Sequence, residues 1–155
     1  MKHHRQSILF LATGFYVGYI PFAPGTFGTL AGLPFCLLFA LTGTRLAVLL
    51  TLLFVGFAIV TAHQAEKYLE KKDPGLIVID EMAGILVTFL LIPLTPETAV
   101  LGFYIFRILD IAKPFPIRYL EKRVPGGTGI VLDDVIAGIF GNLILRGILI
   151  FWTPF

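Results

Sequence analysis

LAVLLTLLFVGFAIVTA, residues Leu46–Ala62, runs for seventeen positions without a charge. Only Thr51 and Thr61 carry a side-chain hydroxyl in it. A helix crossing a bilayer needs about 20 mainly apolar residues, with a range near 17–25. The stretch therefore predicts a membrane helix, and the composition agrees with it. Of 155 residues, 57% are hydrophobic and 14% charged, and the mean hydropathy is +0.90. A soluble domain is usually about 45–50% apolar and about 25% charged. This chain has too little polar surface to coat a globule. No Ser-rich or acidic linker divides it, so residues 1–155 read as one membrane-embedded domain.

Outward from Leu46–Ala62, four further stretches read as spans: Thr26–Leu41, Met82–Leu94, Ala99–Ala112 and Asp134–Trp152. Residues Ser7–Ala23 are apolar but broken by Gly14, Gly18 and Pro21, which suits an interfacial or re-entrant helix. Lys2 and Arg5 ahead of that stretch mimic a secretion signal. The interruptions and the lack of a persuasive cleavage site favour a retained segment. The expected fold is all-α: a polytopic bundle of about five transmembrane helices plus an N-terminal interfacial or re-entrant helix. Trp152 is placed to anchor the last span at an interface. Cys36 is the single cysteine, so no intramolecular disulfide forms, and it reads as a small packing residue. Basic residues are few and flank apolar segments, which excludes a nucleic-acid surface. Nothing indicates a homo-oligomer.

Charge sets the orientation. With the N-terminus in the cytoplasm, Lys2, Arg5, Lys67, Lys71, Lys72, Lys113, Arg118, Lys122 and Arg123 all fall on the cytoplasmic side, nine of the twelve basic residues. Arg45 falls outside, and Arg107 and Arg146 fall within spans. The same topology brings five carboxylates to one depth. Asp80 and Glu81 open the third span, Asp110 closes the fourth, and Asp133 and Asp134 open the fifth. An ionised carboxylate is costly in hydrocarbon unless it is paired, solvated or bound to a cation. Their convergence on one cytoplasmic layer predicts a site, and a divalent-metal site suits it best.

Four constellations carry chemistry. In IDEMAG (Ile79–Gly84), successive helix residues point about 100° apart. One acid is therefore expected on the metal and the other on a basic partner; a plain anionic helix start is the structural alternative. In FRILDIAKPFP (Phe106–Pro116), Arg107, Asp110 and Lys113 lie at i, i+3, i+6 on one face. Cation, anion, cation suits a phosphate beside a metal-bound carboxylate, with an intrahelical ion pair as the alternative. Lys113 should leave the helix ahead of Pro114. In PGGTGIVLDD (Pro125–Asp134), the turn at Gly126 and Gly127 can present backbone N–H groups to a phosphate, or be a turn and nothing more. In FAPGTFGTLAG (Phe22–Gly32), a Pro24–Gly25 turn capped by Thr26 makes a helix N-terminus that suits an anion. Gly28 and Gly32 have the GxxxG spacing of close packing. His63 and Glu66 near the end of the second span read as a solvated helix end, His3 and His4 as a solvated tail. Arg146 is expected to snorkel outward or pair within the bundle.

FAPGTFGTLAGLP, VIDEMAG, FRILDIAKPFPI and PGGTGIVLDDVIAG occur in this order, and the chain resembles the bacterial phosphatidylglycerophosphatase A family from about Gly18 to Gly141. The resemblance implies an integral enzyme of the bacterial inner membrane that removes the terminal phosphate of phosphatidylglycerophosphate, a phospholipid substrate, with magnesium. It implies catalytic and metal roles for Asp80, Glu81, Asp110, Asp133 and Asp134. It implies phosphate binding by Arg107, Lys113, Gly25, Thr26, Gly126 and Gly127, at the cytoplasmic side. Magnesium takes oxygen ligands and retains several waters, so two or three acids would hold it while another serves in proton transfer. Whether water or an aspartate attacks phosphorus stays open.

Two other classes compete. An ion-coupled transporter also places acids in a membrane, but near the midplane and on broken helices. A lipid-headgroup transferase would use a similar metal site, but its usual DG…AR…G…D…D signature is absent. Cys36 is not followed by arginine six residues later, since position 42 is Thr, so a cysteine-phosphatase loop is absent too.

Overall fold

The computed structural model describes residues 2–71 and 74–152, without the side chains of Lys2, Glu121, Lys122 and Trp152. The charges expected at Lys2, Lys72 and Lys122 and the anchor expected at Trp152 lie outside that description. The described residues form seven α-helices and no strand: α1 (Lys2–Ala12), α2 (Pro24–Ala40), α3 (Thr44–Leu69), α4 (Ile79–Thr88), α5 (Pro96–Ala112), α6 (Ile117–Arg123) and α7 (Gly126–Trp152). A 3-10 turn covers Val17–Tyr19. The all-α expectation holds.

The leading stretch forms α3, whose 26 residues reach about 39 Å. Its two sides reverse the pattern of a soluble helix. Ala47, Thr51, Ala58, Thr61, Ala62 and Ala65 are buried, while Leu46, Leu49, Leu53, Phe57 and Val60 face outward. Small residues inside let helices approach closely, and large apolar residues outside suit hydrocarbon. α5 has the same outward stripe at Val100, Tyr104, Ile108 and Ile111. Two helices, α3 and residues 126–151 of α7, are long and apolar enough to cross a membrane. α2 and α5 have 17 residues each, the lower limit of a span.

α4 corrects the expected third span, Met82–Leu94. It begins at Ile79 and ends at Thr88. Ten residues rise only about 15 Å, half of a hydrocarbon core about 30 Å thick. The helix can be short because it meets protein on every side: α2, α3, α5 and α7 all pack on it. Eight of its residues are buried, so it is apolar nearly all round apart from its acidic first turn. Beyond it, Leu91 takes a left-handed conformation (φ 60°), which ends the helical path.

The other end of the sheath also departs from expectation. α7 starts at Gly126 rather than Asp134, so Asp133 and Asp134 lie about two turns inside a helix. The helix starts early because Gly127 has no side chain: a Cβ there would run into the α3 backbone at Ile59 and His63. A short amphipathic helix, α6, fills what reads as loop in the sequence. Pro24 is the first residue of α2, and Ala23 (φ 47°) precedes it, so Thr26 lies within the first turn instead of capping it. The N-terminal segment forms α1, about 16 Å long. It is then held by the Val78 N–H donating to Ala12 O at 2.9 Å. The 11 residues of α1 are fewer than a span needs, and His3 and His4 are exposed on it. Gly28 and Gly32 do pack closely, against Val78 and against Met82 and Ile85.

Candidate active site

The first turn of α4 points Asp80 and Glu81 into the centre of the bundle, where a helix start favours negative charge. Asp134 comes to them from α7. One oxygen from each of Asp80, Glu81 and Asp134 lies within 4.8 Å of the others. The expectation that neighbouring acids on α4 must diverge is thus corrected. Asp80 and the longer Glu81 side chain reach the same point from adjacent positions of α4. Asp110 of α5 lies within electrostatic range of Glu81 and Asp134, and Asp133 within range of Asp80. All five acids expected to converge do converge.

They do not stand alike. Arg107 Nη1 donates to Asp110 Oδ2 one turn away on α5. Lys113 leaves the helix in a left-handed conformation (φ 42°) ahead of Pro114. That turn carries its ammonium to α7, where Nζ donates to Asp133 Oδ2 at 2.6 Å. Asp80, Glu81 and Asp134 have no ion pair among the described residues. Two carboxylates at this separation repel by about 3 kcal/mol or more at an effective dielectric of about 20. Among the described residues, the buried Asp80 Oδ1, Glu81 Oε2 and Arg107 Nε have no hydrogen-bond partner. Buried polar atoms are seldom left so. The donor set is oxygen only, which fits a hard divalent cation such as magnesium and not a thiolate- or imidazole-bound metal.

The start of α2 closes one side. Gly25 sits so near Glu81 that a Cβ would overlap its carboxylate and stand 3.2 Å from Arg107 Nη1. Gly25 therefore belongs to the wall of the site, with Thr26 next to it in the first turn of α2. Gly126 and Gly127 stand elsewhere: the Gly127 N–H points to His63 Nδ1 at 3.5 Å, about 10 Å along α7 from Asp134. His63 and Glu66 stay at that α3–α7 contact, outside the acid cluster.

Of two polar residues of α7, sequence passed over Asn142 and left Arg146 between snorkelling outward and pairing within the bundle. Asn142 Nδ2 donates to the carbonyls of Thr88 (2.9 Å), Leu90 (2.9 Å) and Val87 (3.4 Å). Arg146 Nη2 donates to Leu90 O (3.0 Å) and Leu91 O (3.3 Å), and its Nε to Asn142 Oδ1 (2.8 Å). Arg146 is therefore paired within the bundle, at the C-terminus of α4. The available signal was an Asn and an Arg at i, i+4 inside an apolar helix.

These features define an all-helical protein with membrane-length helices and a buried carboxylate site suited to a hard cation. The sequence profile of phosphatidylglycerophosphatase A matches residues 10–149. The chain is 40% identical over 136 residues to the phosphatidylglycerophosphatase A of Escherichia coli (strain K12), covering 87% of this chain and 79% of that protein. It is 36% identical over 140 residues to the phosphatidylglycerophosphatase A of Haemophilus influenzae, covering 89% and 86%. A putative phosphatidylinositol-3-phosphatase of Bacteroides thetaiotaomicron is 35% identical over 158 residues, covering 94% and 95%. No solved structure matches. The chain belongs to the phosphatidylglycerophosphatase A family and is a phosphatase.

Proposed function

We propose that this chain hydrolyses the terminal phosphate monoester of phosphatidylglycerophosphate, giving phosphatidylglycerol and phosphate, with magnesium as cofactor. The observation that carries the reading is the set of orphaned oxygens of Asp80 and Glu81 beside Asp134 and facing Arg107. Surplus negative charge next to guanidinium and ammonium groups calls for a cation and a phosphate together. One oxygen each from Asp80, Glu81 and Asp134 would hold the ion, which supplies charge neutralisation at phosphorus and lowers the pKa of water. Arg107 offers its planar fork to the phosphate, and Lys113 a point charge. Both already stand on carboxylates, so an arriving phosphate competes with Asp110 and Asp133 for them. Those two acids then remain for proton transfer, to orient the attacking water or to protonate the leaving alkoxide. The α2 start at Gly25 and Thr26 adds the positive end of a helix dipole.

The site belongs at the cytoplasmic face of the bacterial inner membrane, on the distribution of Lys67, Arg118 and Arg123 near the acid-bearing end. α2, α3, α5 and α7 cross. The leg between α3 and α5 is composite, half helix α4 and half irregular chain, which a bilayer tolerates only inside protein. The acyl chains stay in the bilayer and only the headgroup enters.

The test is phosphate release from phosphatidylglycerophosphate by the purified full chain in mixed micelles. Release with magnesium or manganese and its loss on chelation are expected. No release with either ion contradicts the reading. Cation flux in vesicles without release would point to transport, and a new lipid headgroup without free phosphate to a transferase. Phosphatidylinositol 3-phosphate, run in parallel, ranks the substrates named by the relatives.

A further inference from the structure

α4 and α7 run parallel with one register, repeated at three depths. Asp80 faces Asp134 at the acid level. One turn deeper, Gly84 faces Gly138: a Cβ on Gly84 would stand 2.8 Å from Asp134 O, and one on Gly138 would overlap Gly84 O. A further turn deeper, Asn142 bonds the Thr88 carbonyl. The partners differ by 54 positions at each level. The glycines remove the side chains that would hold the two backbones apart, but glycine contacts slide easily. Directional bonds from α7 are needed to stop α4 from moving along it, and among the described residues these occur at the deep end; at the acid end the Val78 N–H bond ties α4 to Ala12 of the α1 segment instead.

There α4 ends without continuing, and its last carbonyls need donors. Asn142 and Arg146 supply them, and the arginine adds a positive charge where the helix dipole is negative. The Arg146 Nε bond to Asn142 Oδ1 fixes the amide orientation, so both Asn142 hydrogens face α4. Asp80 and Thr88 are eight residues apart on α4, as are Asp134 and Asn142 on α7, a lever of about 12 Å. A slip at the clamp is transmitted as a slip between the acids, because a buried ten-residue helix moves as a rod.

We propose that Asn142 and Arg146 are positioning residues that set the spacing of Asp80 and Glu81 against Asp134 by locking the deep end of α4 in register with α7. The proposal rests on the reading of those three acids as a cation site. Neither residue touches the substrate.

The experiment uses the full chain in detergent, as wild type, Asn142→Ala, Arg146→Gln, Arg146→Lys and, as a control, Thr98→Ala. Thr98 caps α5 at the end far from Asp110 through its bonds to Thr95 and Pro93, so its loss weakens a helix end without touching the α4–α7 register. Three quantities are measured: Mn2+ affinity by electron paramagnetic resonance without substrate, amide hydrogen exchange of residues 80–88, and the thermal midpoint. Asn142→Ala and Arg146→Gln are expected to weaken Mn2+ about 10-fold or more and to speed exchange along α4. Arg146→Lys recovers most of the affinity, and Thr98→Ala lowers the midpoint with Mn2+ affinity unchanged. The proposal is overturned if Thr98→Ala and Asn142→Ala weaken Mn2+ equally, or if Asn142→Ala speeds exchange in α4 at full affinity. If Asn142→Ala does not fold, Arg146→Gln against Arg146→Lys decides. A wild type that binds no Mn2+ sinks the cation-site reading instead; the register lock then stands or falls on exchange in α4 alone.

Discussion

Two kinds of acid share one site. Asp110 on α5, and Asp133 on α7 facing the end of α5, each hold a basic side chain. Asp80, Glu81 and Asp134, at the seam between α4 and α7, hold none among the described residues. The first kind is explained by folding, since a carboxylate with its cation beside it is tolerated in a largely buried place. The second kind is not, because three like charges packed together destabilise the empty fold. The seam therefore marks what folding alone would not retain, and the α5 side marks how substrate charge is awaited.

The largest effect that separates the two kinds is on activity. Glu81→Gln and Asp134→Asn are expected to lower kcat by at least about 100-fold, while the thermal midpoint of the metal-free protein stays level or rises as repulsion is relieved. A lower midpoint would make the seam acids structural after all. Next come the basic partners. Arg107→Lys and Lys113→Ala are expected to reduce kcat/KM by about 10- to 100-fold, the worth of a charge-assisted hydrogen bond. Unlike the seam variants, Lys113→Ala should also lower the midpoint, because it removes the Lys113 ion pair from buried Asp133. Equal midpoints for Lys113→Ala and Asp134→Asn would erase the distinction.

Gly25→Ala tests the wall. A methyl group there displaces Glu81 and Arg107, and about a 10-fold loss of kcat is expected at unchanged expression. The smallest catalytic effect belongs to Gly127→Ala, which collides with α3 rather than with the acids. Its expected signature is a lower midpoint, with kcat of the folded fraction within about 3-fold of wild type given the 10 Å offset along α7. A selective rise in KM for the phosphate ester would restore Gly126 and Gly127 as a phosphate cradle.

Sequence revealed the acids because charge in an apolar run is conspicuous, and it led to their convergence because successive apolar helices reverse direction. Lys113 leaving its helix was legible from Pro114. The end of α4 at Thr88 was not: GILVTFLLIPL reads as one apolar run, and nothing local shows that part of it is buried in protein rather than lipid. The start of α7 was hidden for a related reason. A PGG triplet signals a turn, but here Gly127 is what allows a helix to lie against α3. The pairing of Asp80 with Glu81 on one ion depends on side-chain length in three dimensions. The Asn142–Arg146 clamp depends on which carbonyls face α7, and no spacing rule gives that.

The difference between the two kinds of acid is tested most directly by where a cation binds. Mn2+ titration of the purified full chain, followed by electron paramagnetic resonance, should show binding in the wild type and in Asp110→Asn. It should be lost, or weakened about 10-fold or more, in Asp134→Asn. Binding as tight in Asp134→Asn as in the wild type, with Asp110→Asn the variant that loses it, would contradict the assignment of the cation to the α4–α7 seam.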